Sequence, residues 1–259
     1  MNHINKLRQH PFFKSLHIIA KEAGSSIMAT YNNNITNVNY KADNSPLTQA
    51  DTNAHRIIQR ELRKLKDIPI ISEEGDSHYT DSHQYWLVDP LDGTKEFINR
   101  NGEFTVNIAL IDQGYPTLGI VYAPVLSNFY IGGSSLGSIK ILKNGDEQIL
   151  TVTKPKKKIK VIASRSHLNQ ETKNFISNIQ DTDLVQSGSS LKFCLIAEGL
   201  ADIYPRLAPT SEWDTAAAQA VVEGAGGSVL TLGGLRVRYQ KNNILNPKFI
   251  VRGNNSINI

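Results

Sequence analysis

The spacing of apolar segments along this chain of 259 residues changes near residue 155, and this change constrains the fold most strongly. Before it, short apolar runs follow one another across turns such as Asn144-Gly145, which is typical of hairpins in an antiparallel sheet. After it, such runs alternate with helix-length segments, which favours helices packed on a partly parallel sheet. We therefore predict an α+β fold, with one domain over residues 1–155 and a second over residues 156–259.

Apolar periodicity and turn residues place the individual elements. In the first half we expect helices near 11–31 and 48–66, and strands at 68–72, 85–88, 104–111, 117–122, 129–132, 139–142 and 149–152. In the second half we expect strands at 161–164, 184–186, 203–204, 229–231 and 249–251, with helices at 169–179, 189–199 and 214–224.

Residues 88–94, with the sequence V-D-P-L-D-G-T, place two carboxylates three positions apart around a proline. Pro90 donates no backbone hydrogen bond, so we expect the preceding strand to stop before it. Carboxylate oxygens are the ligands that Mg²⁺ takes, and the N–H groups beyond the turn suit a phosphate. The segment indicates metal-assisted phosphoryl chemistry, although Asp, Pro and Gly also form ordinary turns.

Acidic residues stand at the ends of three further apolar elements. Glu73 and Glu74 follow one apolar run, Asp214 begins an Ala-rich helix, and Thr48 and Asp51 open an amphipathic helix. Taken singly, each has an ordinary explanation: a solvated loop, an acid that complements the helix dipole, and a capping arrangement. Because Glu73–Glu74 and Asp214 share the character of the Asp89–Asp92 turn, these three together favour a shared acidic site. For Thr48 and Asp51, spacing alone does not separate a cap from a role in the site.

The composition is that of an ordinary globular enzyme. The formal charge of +4 helps to attract anionic substrates but is too small to indicate nucleic-acid binding. The lone Cys194 excludes an internal disulfide and fits the cytoplasm. No apolar run approaches the roughly 18 residues that a membrane span needs, and the N-terminal segment predicts an amphipathic helix and not a signal peptide. The basic run at 154–160 is expected to be a solvated connector, or alternatively a weak peripheral contact with the cytoplasmic face of the inner membrane.

These acidic segments, with the Glu-Glu pair, D-P-L-D-G-T and the later W-D-T-A-A, resemble the lithium-sensitive, Mg²⁺-dependent inositol monophosphatase superfamily. The resemblance extends from about residue 41 to the end. Residues 94–109, 164–167, 188–194 and 204–206 are similar to its branch that acts on bisphosphate nucleotides. The resemblance implies a layered α-β-α-β-α sandwich. It also implies hydrolysis of adenosine 3′,5′-bisphosphate to adenosine 5′-phosphate in sulfate assimilation, with the 3′-phosphorylated sulfate donor as a second substrate.

The resemblance further implies two Mg²⁺ ions. Glu73, Asp89 and the backbone carbonyl of Leu91 would hold one ion. Asp89, Asp92 and Asp214 would hold the other. Two such ions about 3.5–4 Å apart can bridge a phosphate, activate a water and stabilise the leaving oxygen. All of these residues except Asp89 are also expected to contact the substrate.

Other residues of the same segments are expected to serve the attacking water and the phosphate. By resemblance, Glu73 and Thr94 would orient or deprotonate the water. Asp51 and Thr48 would support that proton path or a third, weaker ion. The N–H groups of Gly93 and Thr94, which open a helix, would hold the phosphate that is removed.

The remaining substrate contacts are expected from the second half of the chain. His167, Ser189, Lys192 and Arg206 are the candidates for the nucleotide and its second phosphate. Taken singly, the two cations would fit surface positions and the histidine a helix-flanking one. The partner is thus expected to be a small nucleotide and not a nucleic acid, with the protein a monomer or a homodimer.

Three other functions are open to such a chain. It could prefer inositol monophosphate or a sugar bisphosphate, although residues 94–97 and 188–194 argue against this. It could be a non-catalytic protein that binds nucleic acid or transcription complexes, but every expected metal ligand is present. A kinase is disfavoured because neither a P-loop nor a kinase motif set occurs.

Overall fold

A computed structural model describes residues 3–33, 38–40, 46–76, 79–154, 158–166, 168–240 and 243–254. The candidate substrate residue His167 and residues 155–157 of the basic run lie outside these ranges. In the described part of the chain, no helix is both long enough and apolar enough to cross a membrane.

Seven helices are described, and each has a counterpart in the predicted pattern except the first. They are α1 (His3–Gln9), α2 (Phe13–Asn32), α3 (Gln49–Leu65), α4 (Thr94–Ile98), α5 (Gln170–Ser177), α6 (Leu191–Ala197) and α7 (Ala216–Gly224). The short α4 was expected only as the helix opening after Gly93. The unpredicted α1 is a short helix that buries only Ile4 and Leu7.

Nine of the strands belong to the first half of the chain and five to the second. They are β1 (Val38–Tyr40), β2 (Pro46–Thr48), β3 (Ile70–Ser72), β4 (Gln84–Asp92), β5 (Thr105–Asp112), β6 (Tyr115–Ala123), β7 (Asn128–Gly133), β8 (Gly137–Ile141), β9 (Glu147–Ile149), β10 (Ile159–Ser164), β11 (Thr182–Ser187), β12 (Ile203–Arg206), β13 (Ser228–Thr231) and β14 (Phe249–Arg252).

The first half builds a seven-stranded sheet in the order β3-β4-β5-β6-β7-β8-β9, beside the small pair β1-β2. Every neighbouring pair in this sheet is antiparallel except β3 and β4. The mainly antiparallel sheet predicted from the hairpin spacing is thereby confirmed. Gln113 and Gly114 join β5 to β6 with φ angles of 52° and 80°, a conformation that short hairpin loops require.

The second half builds a five-stranded sheet in the order β11-β10-β12-β14-β13. Strand β10 is parallel to both β11 and β12, whereas β14 is antiparallel to β12 and β13. The partly parallel sheet is therefore also confirmed. The division into two domains at residue 155 stays a prediction. One buried cluster includes side chains from both sheets, so the two halves share part of their core.

The layers follow the predicted α-β-α-β-α order. Helices α2 and α3 cover one face of the larger sheet, α6 and α7 lie between the two sheets, and α5 packs beyond the smaller one. The Ala-rich α7 approaches β6 so closely that a Cβ added to Gly119 would lie 2.3 Å from the carbonyl oxygen of Ala217. Small residues on both sides thus bring α7 against the larger sheet.

Three predicted boundaries are wrong. Strand β4 continues through Pro90 to Asp92 and does not stop before the proline. The strand expected at 149–152 is β9, which lies earlier, at Glu147–Ile149. Asp214 stands in the turn before α7 and not in its first helical turn, a shift of the size common at helix ends.

Candidate active site

A β-bulge explains how β4 accommodates Pro90. Its pairing with β5 shifts register between Asp89, which faces Asn107, and Asp92, which faces Thr105. On the other side, β3 pairs with β4 only as far as Val88. Pro90 therefore needs no ladder hydrogen bond there, and the bulge bends the strand where the two aspartates are presented. The backbone N–H of Leu91 donates to Asp89 Oδ1 at 3.0 Å, which closes this bend.

Four carboxylates meet at the bulge. Burial raises the pKa of Asp89 well above its ordinary range, and the nearby carboxylates of Glu73, Asp92 and Asp214 raise it further. Glu73 is also hydrogen-bonded to Asp89. Such a cluster of like charges away from water is unfavourable unless a proton or a cation is shared among them.

Asp214 shows the same electrostatic effect from the second half of the chain. It remains partly accessible to solvent. Burial, followed by repulsion from Asp92 and Glu73, raises the pKa of Asp214 to about 7. Several carboxylates whose oxygens can bind one cation together form a ligand set that fits a hard divalent ion such as Mg²⁺.

The carboxylates are close together but are not yet arranged around one point. Among the described residues, no three acidic, histidine or cysteine side chains form a ready metal-coordinating group. The hydrogen bonds described for Asp92 all end on Oδ2, from Ser190 Oγ at 2.8 Å, Asn107 Nδ2 at 3.2 Å and Thr105 Oγ1 at 3.4 Å. Side-chain rotations within the cluster would therefore have to accompany metal binding.

The hydrogen bonds described for the Asp214 side chain likewise end on one oxygen. Oδ2 accepts from Thr210 Oγ1 at 2.5 Å and from the backbone N–H of Ser211 at 2.9 Å. These bonds hold the side chain in one orientation. Its Oδ1 accepts none of the hydrogen bonds described for this side chain.

The Thr48–Asp51 pair forms a capping box and also reaches the site. Asp51 Oδ2 accepts from the Thr48 N–H at 2.8 Å and from its hydroxyl at 2.6 Å. Asp51 Oδ1 lies 3.2 Å from Thr94 Oγ1, which is itself 3.3 Å from the Leu91 carbonyl oxygen. The capping explanation and the predicted site role are thus compatible in one side chain.

Both the backbone conformation and the neighbouring atoms at position 93 require a glycine. Its φ of 90° lies in the left-handed region that favours glycine. A Cβ there would lie 3.2 Å from the Glu103 carbonyl oxygen and 3.3 Å from Ser189 Cβ. Helix α4 begins at the next residue, Thr94, as predicted. The turn therefore places the N–H group of Gly93 beside the second half of the chain.

Lys192 is buried, and the surface position considered for it is wrong. Its Nζ donates to the Ser189 carbonyl oxygen at 2.5 Å and lies 5.5 Å from the centre of the Tyr204 ring. Burial lowers the pKa of Lys192 to about 8, although the negative charge of Asp92 opposes this shift. A buried ammonium near the carboxylate cluster is suited to an anion that approaches the same site.

Arg206 is half-buried and uses part of its guanidinium internally. Its Nε and Nη2 donate to the backbone carbonyl oxygens of Ala208 and Pro209. Because a guanidinium has five N–H donors, others can serve a ligand. The positive charge of Arg206 also lowers the pKa of Lys192, so the two cations lie near one another.

Sequence reasoning missed the polar residues that support the acidic cluster. Ser190 Oγ lies 2.8 Å from both Asp92 Oδ2 and the Asp214 carbonyl oxygen, and it accepts from Asn107 Nδ2 at 2.9 Å. Asn107 could have been found from the predicted antiparallel pairing, because it lies directly opposite Asp89. Residues 188–190 indicated a helix start, but no local signal pointed to the contact of Ser190 with Asp92, which is 98 residues away.

Comparisons with known proteins agree with this fold and these segments. The family model described as "Inositol monophosphatase family" matches residues 9–256, a longer stretch than the resemblance noted from about residue 41. The chain is 46% identical over 239 residues to the 3'(2'),5'-bisphosphate nucleotidase CysQ of Shigella flexneri, covering 90% of this chain and 96% of that protein.

Solved structures give the same result. CysQ from Bacteroides thetaiotaomicron, a bacterial member of the inositol monophosphatase family, superposes with a TM-score of 0.83 at 38% identity, covering 95% of this chain and all of that one. The IMPase of Thermotoga maritima gives a TM-score of 0.78 at 24% identity, with 93% and 91% of the two chains covered, and supports the fold alone. The predicted family and layered fold are thereby confirmed.

Proposed function

Since the chain belongs to the inositol monophosphatase family, whose enzymes are metal-dependent phosphatases, we propose that it is a 3′(2′),5′-bisphosphate nucleotidase. Its reaction would convert adenosine 3′,5′-bisphosphate and water to adenosine 5′-phosphate and inorganic phosphate. The observation that carries the proposal is the cluster of Glu73, Asp92 and Asp214 around the buried Asp89, beside the buried Lys192. The nucleotide is supported by the likeness to relatives that carry this name.

The acidic cluster would hold Mg²⁺. Glu73, Asp89 and the Leu91 carbonyl would form one site, and Asp89, Asp92 and Asp214 a second, with a third ion near Asp51 as an open alternative. When bound, the ions would supply Lewis-acid stabilisation of the phosphate and a lowered pKa for the attacking water.

The chain's own residues would orient the water and move its proton. Thr94 Oγ1 can accept a hydrogen bond from the water while it donates to Asp51, which lies 3.2 Å away. Glu73, at the edge of the cluster, would take up the proton as the water oxygen bonds to phosphorus. The bond from phosphorus to the 3′ oxygen would break, and that oxygen would take a proton from solvent water to leave as the free hydroxyl, while Glu73 would return its proton to solvent.

The rest of the nucleotide would lie toward the second half of the chain. Lys192 and Arg206 would face the 5′-phosphate, and Ser189 and His167 would contact the nucleoside. Gly93 and Thr94 would offer backbone N–H groups to the 3′-phosphate. Binding energy from the phosphate that does not react can then orient the one that does.

We also propose a cytoplasmic enzyme that acts as a monomer or a homodimer and binds no nucleic acid. The lone, buried Cys194 supports the reducing compartment. The 3′-phosphorylated sulfate donor nucleotide remains a proposed second substrate, and sulfate assimilation the proposed setting. A weak membrane contact by the basic run at 154–160 stays a prediction.

A substrate panel tests the proposal. Phosphate release would be measured from adenosine 3′,5′-bisphosphate, inositol 1-phosphate and fructose 1,6-bisphosphate, each with and without Mg²⁺. We expect the nucleotide to give the highest kcat/KM and the activity to require Mg²⁺. A preference for inositol phosphate or fructose bisphosphate would replace the nucleotide proposal, and inactivity on all three would favour the binding-protein alternative.

A further inference from the structure

The carboxylate of Glu103, in the loop between α4 and β5, joins two distant segments of the chain. Arg165 Nε and Nη2 donate to its two oxygens at 2.9 and 2.8 Å, a two-bond fork. The backbone N–H of Gly188 donates to Glu103 Oε2 at 2.7 Å. The same Arg165 Nη2 also donates to the Gln186 carbonyl oxygen, 3.2 Å away. Glu103, in the first half of the chain, thus contacts Arg165, which follows β10, and Gly188, which follows β11.

The segment held in this way reaches the site within two residues. Gly188 lies so close to the loop that a Cβ there would stand 2.9 Å from the Glu103 carbonyl oxygen and 2.7 Å from Glu96 Cγ. Ser189 has a φ of 43°, an uncommon backbone conformation that its surroundings must maintain. Ser190 then donates to Asp92.

We propose that Glu103 is a positioning residue for the phosphatase reaction. Through Arg165 and the Gly188 N–H it holds residues 188–190 against Gly93 and Asp92. The turn at Gly93 and Thr94, which would bind the 3′-phosphate, then keeps a fixed distance from Ser189 and Lys192, which would bind the rest of the nucleotide. The inference rests on the proposed function, because it assumes that the cleft between these segments receives the substrate.

A purely stabilising role is the alternative, and a matched ion pair separates the two. The side chains of Arg165 and Glu103 are 43% and 25% exposed, and those of Arg8 and Glu147 are 47% and 30% exposed. Both pairs place two arginine nitrogens on the carboxylate. Ion pairs this exposed contribute little to stability, and the second pair joins α1 to β9, away from the acidic cluster.

The kinetic test compares Glu103→Ala and Glu103→Gln with Glu147→Ala. Glu103→Ala should lower kcat/KM for adenosine 3′,5′-bisphosphate about tenfold, as expected for a lost charge-assisted hydrogen bond. Glu103→Gln should lie between Glu103→Ala and wild type, because its amide oxygen can still accept from Gly188. Glu147→Ala should match wild type, and all three should keep the wild-type Tm to within the shift of the control.

A double-mutant cycle identifies the path. If Glu103 acts through Arg165, Glu103→Ala should cost less in the Arg165→Ala background than alone. Equal costs in both backgrounds, or a Glu103→Ala enzyme with wild-type kcat/KM, would overturn the proposal.

Hydrogen exchange gives a readout that does not depend on activity. Amide exchange over residues 188–192 should become faster in Glu103→Ala and remain unchanged in Glu147→Ala. Unchanged exchange in Glu103→Ala would overturn the positioning role. If the substrate panel shows that the wild-type enzyme prefers another phosphate ester, faster exchange in Glu103→Ala would still support the positioning role. Only the proposal of a nucleotide substrate would then be dropped, and the kinetic test would be repeated on the preferred ester.

Discussion

Asp92→Asn gives the sharpest test of the proposed metal site. The substitution keeps the shape of the side chain and an oxygen that can accept from Ser190, now 2.8 Å from Asp92 Oδ2. It removes one negative charge from a cluster in which Asp92 repels both Asp89 and Asp214. The metal-free fold should therefore be retained, with a Tm equal to or above that of wild type.

The expected kinetic loss follows from the charge that is removed. A unit charge about 4 Å from another interacts by about 4 kcal/mol at an effective dielectric constant of 20. Because each 1.4 kcal/mol is about tenfold, losing one ligand charge should lower kcat about 1,000-fold or more, which in most assays is abolition.

The assay measures phosphate release across a Mg²⁺ titration, together with the rise in Tm that Mg²⁺ produces. Asp92→Asn should lose most of both. Asp112→Asn is the matched control, since Asp112 ends strand β5 and its carboxylate accepts only from Gln84 among the described contacts. It should match wild type in both measurements. Wild-type kcat in Asp92→Asn at saturating Mg²⁺ would refute the two-ion arrangement.

Three other outcomes are expected. Low-millimolar Li⁺ should inhibit the enzyme, as the family resemblance implies. Excess Mg²⁺ or added Ca²⁺ should also inhibit, and for Ca²⁺ the reason is that it takes more ligands at longer distances. Steady-state rates that do not change across these titrations would contradict this prediction. Asp214, with its pKa raised to about 7, keeps a proton in the metal-free fold that the unfolded chain has lost, so this contribution to stability disappears as pH rises toward 7. The Tm gain from Mg²⁺ should therefore be larger at about pH 7.5 than at about pH 5, and a gain independent of pH would show that no proton is displaced. Lys192→Ala and Arg206→Ala should each lower kcat/KM about 10- to 100-fold on the bisphosphate and much less on a simple monophosphate, whereas equal losses on both would remove the specificity role.

The fold could be predicted largely because its signals are local. The turn at Asn144-Gly145 and the Thr48 cap each occupy a few neighbouring positions, and the structure shows both. Pro90 shows where local rules fail. Whether a proline can lie within a strand depends on what its neighbours pair with, and here β3 has already ended and β5 shifts register.

The meeting of the acidic residues in one candidate site could be predicted, but the contacts that support them could not. Carboxylates at the ends of apolar runs are visible in sequence, whereas the burial of Lys192 and the contact of Ser190 with Asp92 depend on how the two sheets come together. A lysine looks the same in sequence whether it is solvated or enclosed. Only packing decides between these states, and the same packing lowers its pKa to about 8.

Asp51 shows that two explanations of one residue need not compete. One oxygen caps helix α3 through Thr48, at distances of 2.6 and 2.8 Å, and this fixes the direction of the carboxylate plane. Because the plane is fixed, the other oxygen is held toward Thr94, 3.2 Å away. The local capping motif therefore orients the atom that the proposed proton path requires. A helix cap beside a catalytic turn can supply, from residues only three apart in sequence, an orientation that the rest of the site obtains from contacts between distant segments.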